Sequence, residues 1–475
     1  RIIVTHINEE ENKMKYANRI LPVVLASMLA MSSVIGSGSA MTAYAADETT
    51  DAVEVLTPAV TFNSQYASVD TELSVTVSNA ENYTVVWYVD GAEAGTGESY
   101  LVTENDLEKF IRADVIADGE VIASNSLYCS KLPVVYIDCE KLTEMNNSPT
   151  HEDYFDATMR IQGNDEFNSE KQLYDNVIEI KGRGSSTWGF PKKPYKIKLD
   201  KKTSIFGMGK NKHWVLLANY VDESGMRNML AGDFAERLGV GKMDGTWVEL
   251  VMNGETKGVY MLCEHVRLSE DRVNVFDWET AAEDLAETIA EENGLSEDDM
   301  DDLTDQMAEE DMSWISSGTV TFKGVTYKTA DYYEDLPDSF SGGWLLEMDT
   351  GYDEVSKFKT DREAPLMFKS PEFIATDEVA MATVQNYVQT FEDALYSPDH
   401  CTDVDGKKVS YTELCDTQSF ANYILASEFL INEVGYKSTY FQKDIDQPIV
   451  FGPIWDFDFS SSAVTPFGTQ SATEW

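Results

Sequence analysis

Two short stretches far apart in the chain carry the side chains that could do chemistry. The first, Gly182-Arg183-Gly184-Ser185-Ser186, interrupts the segment VIEIKGRGSSTWGFPKKPYKIKLD, which runs from Val177 to Asp200. Two glycines let backbone approach a ligand closely, and successive N–H groups in such a turn form an anion-binding concavity. Arg183, Ser185 and Ser186 add donors, and Lys196 and Lys198 beyond the turn add charge, which together suit a polyphosphate. A surface hairpin with a solvated basic face would read the same way. The second stretch is Trp455-Asp456-Phe457-Asp458-Phe459. If it is extended, Asp456 and Asp458 leave one face while the aromatic residues point to the other, into a core. Carboxylates at a strand end are hard oxygen ligands for Mg²⁺, which is normally held by one or two of them plus substrate phosphates. An ordinary exposed strand end has the same pattern. The two stretches together ask for one ligand, a metal-bound nucleoside triphosphate.

The elements that must position these groups alternate between strand and helix patterns. Ile178 and Ile180 alternate with Glu179 and Lys181, and Tyr195-Lys196-Ile197-Lys198-Leu199 repeats the period of two, so the turn joins two strands. Trp214 to Asn219 is a buried apolar run. A helix follows, capped by Asp222 or Ser224, with Met226, Leu230, Phe234 and Leu238 as its apolar stripe and Gly239 past its end. Asn253-Gly254 between two apolar runs predicts a tight hairpin. Core strands are expected again at Gly342–Asp349 and Met367–Glu372. A long helix is expected over about Asp416 to Val434, with Phe420, Ile424 and Ile431 near one face, and then a strand pair, Ser438–Lys443 and Pro448–Ile454, that delivers Asp456.

The 475 residues suggest two to three domains, and 43% hydrophobic content is ample for packed cores. The net charge of −48 repels nucleic acid and anionic membrane, so neither is an expected partner. Residues 1–45 read as leader and signal peptide: Met14 as start, Lys15 and Arg19, an apolar run from Ile20 to about Ile35, and Ala43-Tyr44-Ala45 as cleavage site. The mature protein is therefore expected to be secreted or on the cell surface, without a membrane span. Residues 46–131 carry short strands at about ten-residue spacing with Asn, Asp and Gly turns, and Trp87 resembles the buried tryptophan of immunoglobulin-like sandwiches. Residues 132–475 form a second, α+β domain. Within it, 277–312 is expected to be an acidic, solvated helical insertion, without the Gly and Glu spacing of an EF-hand. The chain stops soon after Asp458 with no turn or cap, which suggests a truncated C-terminus. Five cysteines form no CxxC pair, so a zinc knuckle is excluded, and Cys129 with Cys139 is the pairing considered. With few histidines and no GxSxG elbow, Ser/His/Asp hydrolysis is disfavoured. Nothing marks the opposed carboxylate pair of a glycosidase.

The blocks KGRGSSTWGFPKKPYKIKLD, HWVLLANYVDESGMRNMLAGDFAERLG, VELVMNGETKGVYMLCEHV, GGWLLEMD and GPIWDFDFS lie in order across about Leu132 to Ser460. They resemble the spore-coat CotH kinase family. The resemblance implies an atypical protein-kinase-like fold and transfer of phosphate from ATP to protein hydroxyls, usually serine. It implies that Lys196 or Lys198 contacts ATP phosphates, that Asp456 is the metal-binding aspartate with Asp458 as helper, and that Met261 to Glu264 line the adenine side. Arg227 and Asn228 match a family pair. One departure concerns catalysis. Family members usually carry an Asn-x-Asp segment before the Ser-Thr-Tyr strand, and its aspartate is the base. Here Leu430 to Tyr440 runs straight through, several residues short, and Glu433 is the nearby carboxylate that could orient and deprotonate the hydroxyl. The leading expectation is an ATP- and Mg²⁺-dependent kinase acting on a secreted or surface protein. The alternative is a catalytically silent, kinase-like surface binding or adhesion protein.

Overall fold

The computed structural model describes residues 57–64, 66–163, 174–184, 186–432 and 437–461, and the backbone of 464–465 and 468–469. The expected signal peptide, Ser185, Glu433 and the chain's last residues lie outside the described residues. The chain divides into two compact units, Arg1–Lys131 with Gln162–Phe167, and Leu132–Ile161 with Asn168–Trp475.

In the first unit, β-branched and aromatic residues alternate with polar ones, and the strands pair antiparallel, with one parallel bridge between Ala67 and Cys129. Ala59–Phe62, Glu72–Ser78 and Ser99–Leu101 form one sheet; Thr84–Val89, Ala92–Thr96, Lys109–Ala117 and Glu120–Cys129 form another. Trp87 is fully buried among Leu73, Ile111 and Val115, which draw the two sheets onto one core. Its Nε1 donates to the Gly97 carbonyl at 2.8 Å, which satisfies the one polar atom that burial would otherwise strand.

The second unit opens with a closed barrel. Its strands are β1 (Val134–Asp138), β2 (Phe155–Gln162), β3 (Asp175–Gly182), β4 (Tyr195–Thr203), β5 (Asn211–Leu217), β6 (Gly245–Met252) and β7 (Glu255–Glu264). They are ordered β3-β4-β5-β7-β6-β1-β2, with β1 and β6 parallel and the β2–β3, β3–β4, β4–β5, β5–β7 and β6–β7 pairs antiparallel. Inward residues Ile137, Ile178, Ile180, Ile197, Trp214 and Leu250 fill it. Asn253 and Gly254 both take positive φ, 48° and 76°, in the expected tight turn between β6 and β7. Between β5 and β6 runs helix α1 (Arg227–Arg237). The N-cap position is Met226, which has no side-chain cap, and Asp222 Oδ2 from the preceding turn accepts from the Arg227 N–H at 2.8 Å.

The second part of this unit is helical with a five-stranded sheet. Helices α2 (Trp278–Asn293) and α3 (Glu297–Asp305) cover the acidic stretch; α4 (Glu378–Tyr396) and α5 (Thr417–Phe429) follow. The sheet runs β9-β10-β8-β11-β12, from β8 (Trp344–Asp349), β9 (Lys357–Lys359), β10 (Pro365–Ser370), β11 (Ser438–Lys443) and β12 (Val450–Phe451).

Four expectations are corrected. The 277–312 stretch is helical but not a solvated insertion, because Trp278, Ala282, Leu285, Ile289 and Leu303 pack into the main core with Leu346 and Phe368. Most of its acidic residues lie on the outer face, but Glu279 turns inward and accepts from the Glu372 N–H at 2.7 Å and Ser370 Oγ at 3.3 Å. Helix α1 buries Ala231, Gly232 and Ala235, not the predicted stripe, and leaves Met226 and Leu230 in solvent. Small residues win that contact because they admit the close approach of Tyr423, Ile454 and Phe457. Helix α5 ends at Phe429 rather than near Val434; Ile431 takes a φ of 52°, which a helix cannot hold. All five cysteines carry free thiols, so Cys129 and Cys139 form no disulfide. Among the described residues, no helix is long and apolar enough to cross a membrane.

Candidate functional site

A cleft of about 610 Å³ opens between the barrel and the second sheet of the same unit, and both chemical stretches reach it. Strand β3 ends at Gly182, where a Cβ would stand 2.5 Å from the Trp188 ring; only glycine leaves the indole its place. Gly184 then turns with a φ of 81°. The Arg183 N–H bonds to the Pro194 carbonyl at 3.3 Å and so is not one of the free donors the turn was expected to offer. The guanidinium instead crosses the cleft and lies 5.6 Å from the centre of the Trp455 ring.

Lys181 and Lys196 are cross-strand partners on β3 and β4, so both ammonium groups project to the cleft side by side. The Lys196 ammonium has no ion-pair or hydrogen-bond partner among the described residues. Burial pushes its pKa down to about 7, and the positive charges of Arg267, Lys181 and Lys369 add to that. Lys198 does not reach the lining. It pairs with Glu179, its neighbour on β3, at 3.0 Å. The alternative left open by the sequence thus separates by position: Lys196 faces the cleft and Lys198 does not.

Glu264 is not brought to the cleft either. On a strand alternate residues face opposite sides, so Met261 and Cys263 line the cleft while Glu264 faces inward. There it accepts from the N–H groups of Gly209 and Asp244, and Arg272 Nε lies 3.6 Å away. It is a buried structural ion pair, not a ligand group.

Opposite the lysines, the chain delivers Asp456 and Asp458, but not on an extended segment. Asp456 takes a left-handed φ of 66° just beyond the Gly452-Pro453 bend. Asparagine and aspartate tolerate that region better than other residues with a side chain. Phe457 goes into the core as expected, and both carboxyl groups still converge on the cleft. Burial raises both pKa values. Asp458 is pushed up to about 7, with the Asp456 charge and a hydrogen bond between the two adding to burial; Arg183 pulls Asp456 the other way. Two carboxyls this close cannot both ionise without a cation. Asp458 Oδ1 is also buried and has no hydrogen-bond partner among the described residues. A hard oxygen pair that shares a proton, with one buried oxygen unsatisfied, fits a divalent cation. Among the described residues no group of three His, Cys, Asp or Glu side chains could hold a metal. The pair therefore suits a cation whose remaining ligands come from phosphates.

The sequence singled out Arg227 and Asn228 without a role for them and missed Glu347 and Asp349, and all four matter here. Arg227 and Asn228 at the start of α1 fix the aspartate segment. Asn228 Oδ1 accepts from the Phe457 N–H at 2.9 Å, and Arg227 Nη1 donates to the Asp458 carbonyl at 2.9 Å. Glu347 and Asp349, at the end of β8, line the cleft beside Asp456. Glu347 accepts from Ser438 Oγ at 2.6 Å and pairs with Lys369 at 3.4 Å. Glu347 and Asp349 repeat the spacing of Asp456 and Asp458, two carboxylates on alternate residues at a strand end, and that was the signal available. Asn228→Ala should strip the Phe457 N–H of its acceptor and cost about 1–3 kcal/mol of stability. Urea unfolding checks this, and an unchanged midpoint would mean that another group holds the segment.

An α+β unit whose cleft sets cationic side chains against a proton-sharing carboxyl pair has what a kinase-like phosphotransferase requires: one wall for phosphates and one for their counter-cation. The family assignment agrees, since residues 178–474 match the model of the CotH kinase protein family, and the chain belongs to that family. No curated protein matches the chain.

Proposed function

We propose that this protein is an active kinase that transfers the terminal phosphoryl group of ATP to a protein hydroxyl, serine foremost, on a secreted or cell-surface acceptor. The observation that carries this reading is the opposition of Lys181, Arg183 and Lys196 to Asp456 and Asp458 across one cleft, in a chain of net charge −48. A polyphosphate is the ligand that needs both walls. Lys196 and Arg183 bind its oxygens. Asp456 and Asp458 would hold Mg²⁺ or another divalent cation, which neutralises phosphate charge when bound. Met261 and Cys263 supply apolar wall for the base. The acceptor hydroxyl must lose a proton to a carboxylate, for which Asp349 and Glu433 are the candidates. The first unit is read as an immunoglobulin-like spacer, and export rests on the leader sequence.

Calorimetry with ATP tests the reading. Heat is expected with MgCl₂ and little without it, and no heat with metal on folded protein would sink the proposal. The pH dependence follows from Lys196. Its neighbours are Lys181, Lys369 and Arg267, which oppose its charge, and Glu372, which favours it. In the free protein the ammonium is held near 7; bound phosphate must raise that value. Below pH 7 the charge is already present and affinity is full. Above it, binding must take up a proton, and affinity falls by up to about tenfold per pH unit until the pKa of the complex is reached. Titrations between pH 7.5 and 9.5 read this slope. Lys196→Arg, which stays charged throughout, should flatten it.

A further inference from the structure

We infer that the exposed apolar ribbon formed by α1 and α5 beside the cleft mouth is the docking surface for the acceptor protein, and that it takes an amphipathic segment whose apolar side chains are flanked by Lys or Arg. The inference rests on the kinase reading and names where and by what chemistry the acceptor is held.

Met226, at the N-cap of α1, and Leu230 and Phe234 on it recur at four-residue spacing, as Leu425 and Phe429 do on α5. Leu230 is 53% exposed and Phe429 63%. The two helices meet where Phe234 and Phe429 stack at 4.8 Å, 20° from parallel, and one turn further on, at the C-terminal end of α1, Asn422 Nδ2 donates to the Leu238 carbonyl. The two stripes are therefore continuous. Such contiguous exposed apolar faces mark interaction sites, and methionine and phenylalanine side chains adapt to varied partners.

The ribbon connects to the cleft through two features. Tyr220 lies in the turn that opens α1, lines the cleft, is about half exposed and stacks on Phe190 at 5.1 Å. On α1 itself, Asn228 and Gly232 face the cleft, and Leu230 and Phe234, two residues on, carry the ribbon on the opposite face, so the route between them passes round the N-terminal turn at Met226 and Tyr220. A segment lying on the ribbon can carry an adjoining residue round the N-terminal end of α1, past Tyr220, into the cleft.

Charge selects the occupant. Glu223, Asp233 and Glu236 are exposed along α1 and its opening turn, with Arg237 at the end of the helix and Lys242 paired to Asp233 and Glu236 at 3.7 and 3.2 Å. A second copy would bring another net charge of −48 to this surface, and an anionic bilayer would also meet repulsion. A partner with Lys or Arg beside its apolar anchors meets attraction and burial together, which is the helix-in-groove mode of recognition.

The test uses the full chain and the double variant Leu230→Glu/Phe429→Ser, neither position being in the cleft. The probe is a fluorescein-labelled peptide with Leu at i, i+3, i+4 and i+7 and Lys elsewhere, beside a scrambled peptide of equal composition. Anisotropy should show binding of the patterned peptide to wild type, at least tenfold weaker binding to the variant, and weaker binding of the scramble. With the peptide extended by a serine segment, kcat/KM should fall at least tenfold through KM in the variant, with ATP affinity unchanged and the melting temperature lowered only by the lost Phe234–Phe429 stack. Equal binding of both peptides, or of both proteins, would overturn the proposal. So would light scattering that shows a wild-type dimer converted to monomer by the variant, which makes the ribbon a self-interface. Failure of wild type to bind ATP sinks the kinase reading instead, and the anisotropy arm still decides the ribbon.

Discussion

Asp456→Asn should abolish Mg²⁺-dependent ATP binding and lower phosphate transfer by at least three orders of magnitude, while the protein stays folded. The substitution is conservative in backbone terms, because asparagine shares aspartate's tolerance of the left-handed φ of 66° that position 456 requires. It is not conservative in charge. An amide cannot replace the anion that a divalent cation needs, and Asp458 alone offers a single carboxylate on a pair built for two. Asp458→Asn, at the position the family pattern makes the helper, should weaken binding less. A second readout separates the metal role from general damage. In the metal-free protein, burial and then the Asp456 charge hold Asp458 up near 7. A carboxyl whose folded pKa is raised destabilises the fold as pH rises from its unfolded value to its folded one, and the deficit persists above. Removing the Asp456 charge should relieve it. At pH 8 without metal, Asp456→Asn should melt higher than wild type, while added MgCl₂ with ATP should stabilise wild type only. Normal transfer by the variant would remove Asp456 from the metal site.

The parts of this architecture that local chemistry determines were legible in the sequence. Period-two alternation placed β3 and β4, Asn253-Gly254 placed the β6–β7 turn, and the blocks from Gly182 to Asp458 named the family before any geometry was known. What local pattern could not supply was the choice between two faces of equal promise. On α1 the large apolar residues predicted the buried face, yet Ala231, Gly232 and Ala235 won it, because the neighbouring Tyr423 and Phe457 needed room. Lys196 and Lys198 are indistinguishable by spacing; Glu179 across the hairpin decides between them. Glu264 seemed to continue the adenine-side wall, but alternation on β7 turns it inward to Arg272. The φ of Asp456 is fixed by contacts with α1, through Asn228 and Arg227, more than 200 residues away in sequence. No window of local sequence contains that information.

The second large effect concerns the base. Asp349→Asn should lower transfer by two to four orders of magnitude, the usual worth of a positioned proton acceptor. ATP affinity should stay within a few-fold. Geometry comes first in such an assignment, and Asp349 lines the cleft at the end of β8, where its Cα partner is Ser438 of β11. Its environment also suits the task. Burial pushes the carboxyl above its ordinary value, against a bond from the Gly351 N–H at 2.6 Å, and Glu347, Asp353 and Asp456 push the same way. A more basic carboxylate takes a hydroxyl proton more readily. Glu433, beyond Asn432 and outside the described residues, is the competing carboxylate. If it were the base, a misplacement of about 1 Å from its longer side chain could alone cost a hundredfold in rate. Glu433→Gln is therefore expected to cost less than Asp349→Asn. Phosphate incorporation into casein-like or self substrates, measured beside ATP binding for both variants, decides between them. The acid limb of the pH–rate profile should disappear in Asp349→Asn alone. If Glu433→Gln removes that limb and Asp349→Asn leaves it, the base is Glu433. If wild type binds ATP and neither it nor the variants transfer phosphate, the cleft is a nucleotide site without kinase activity.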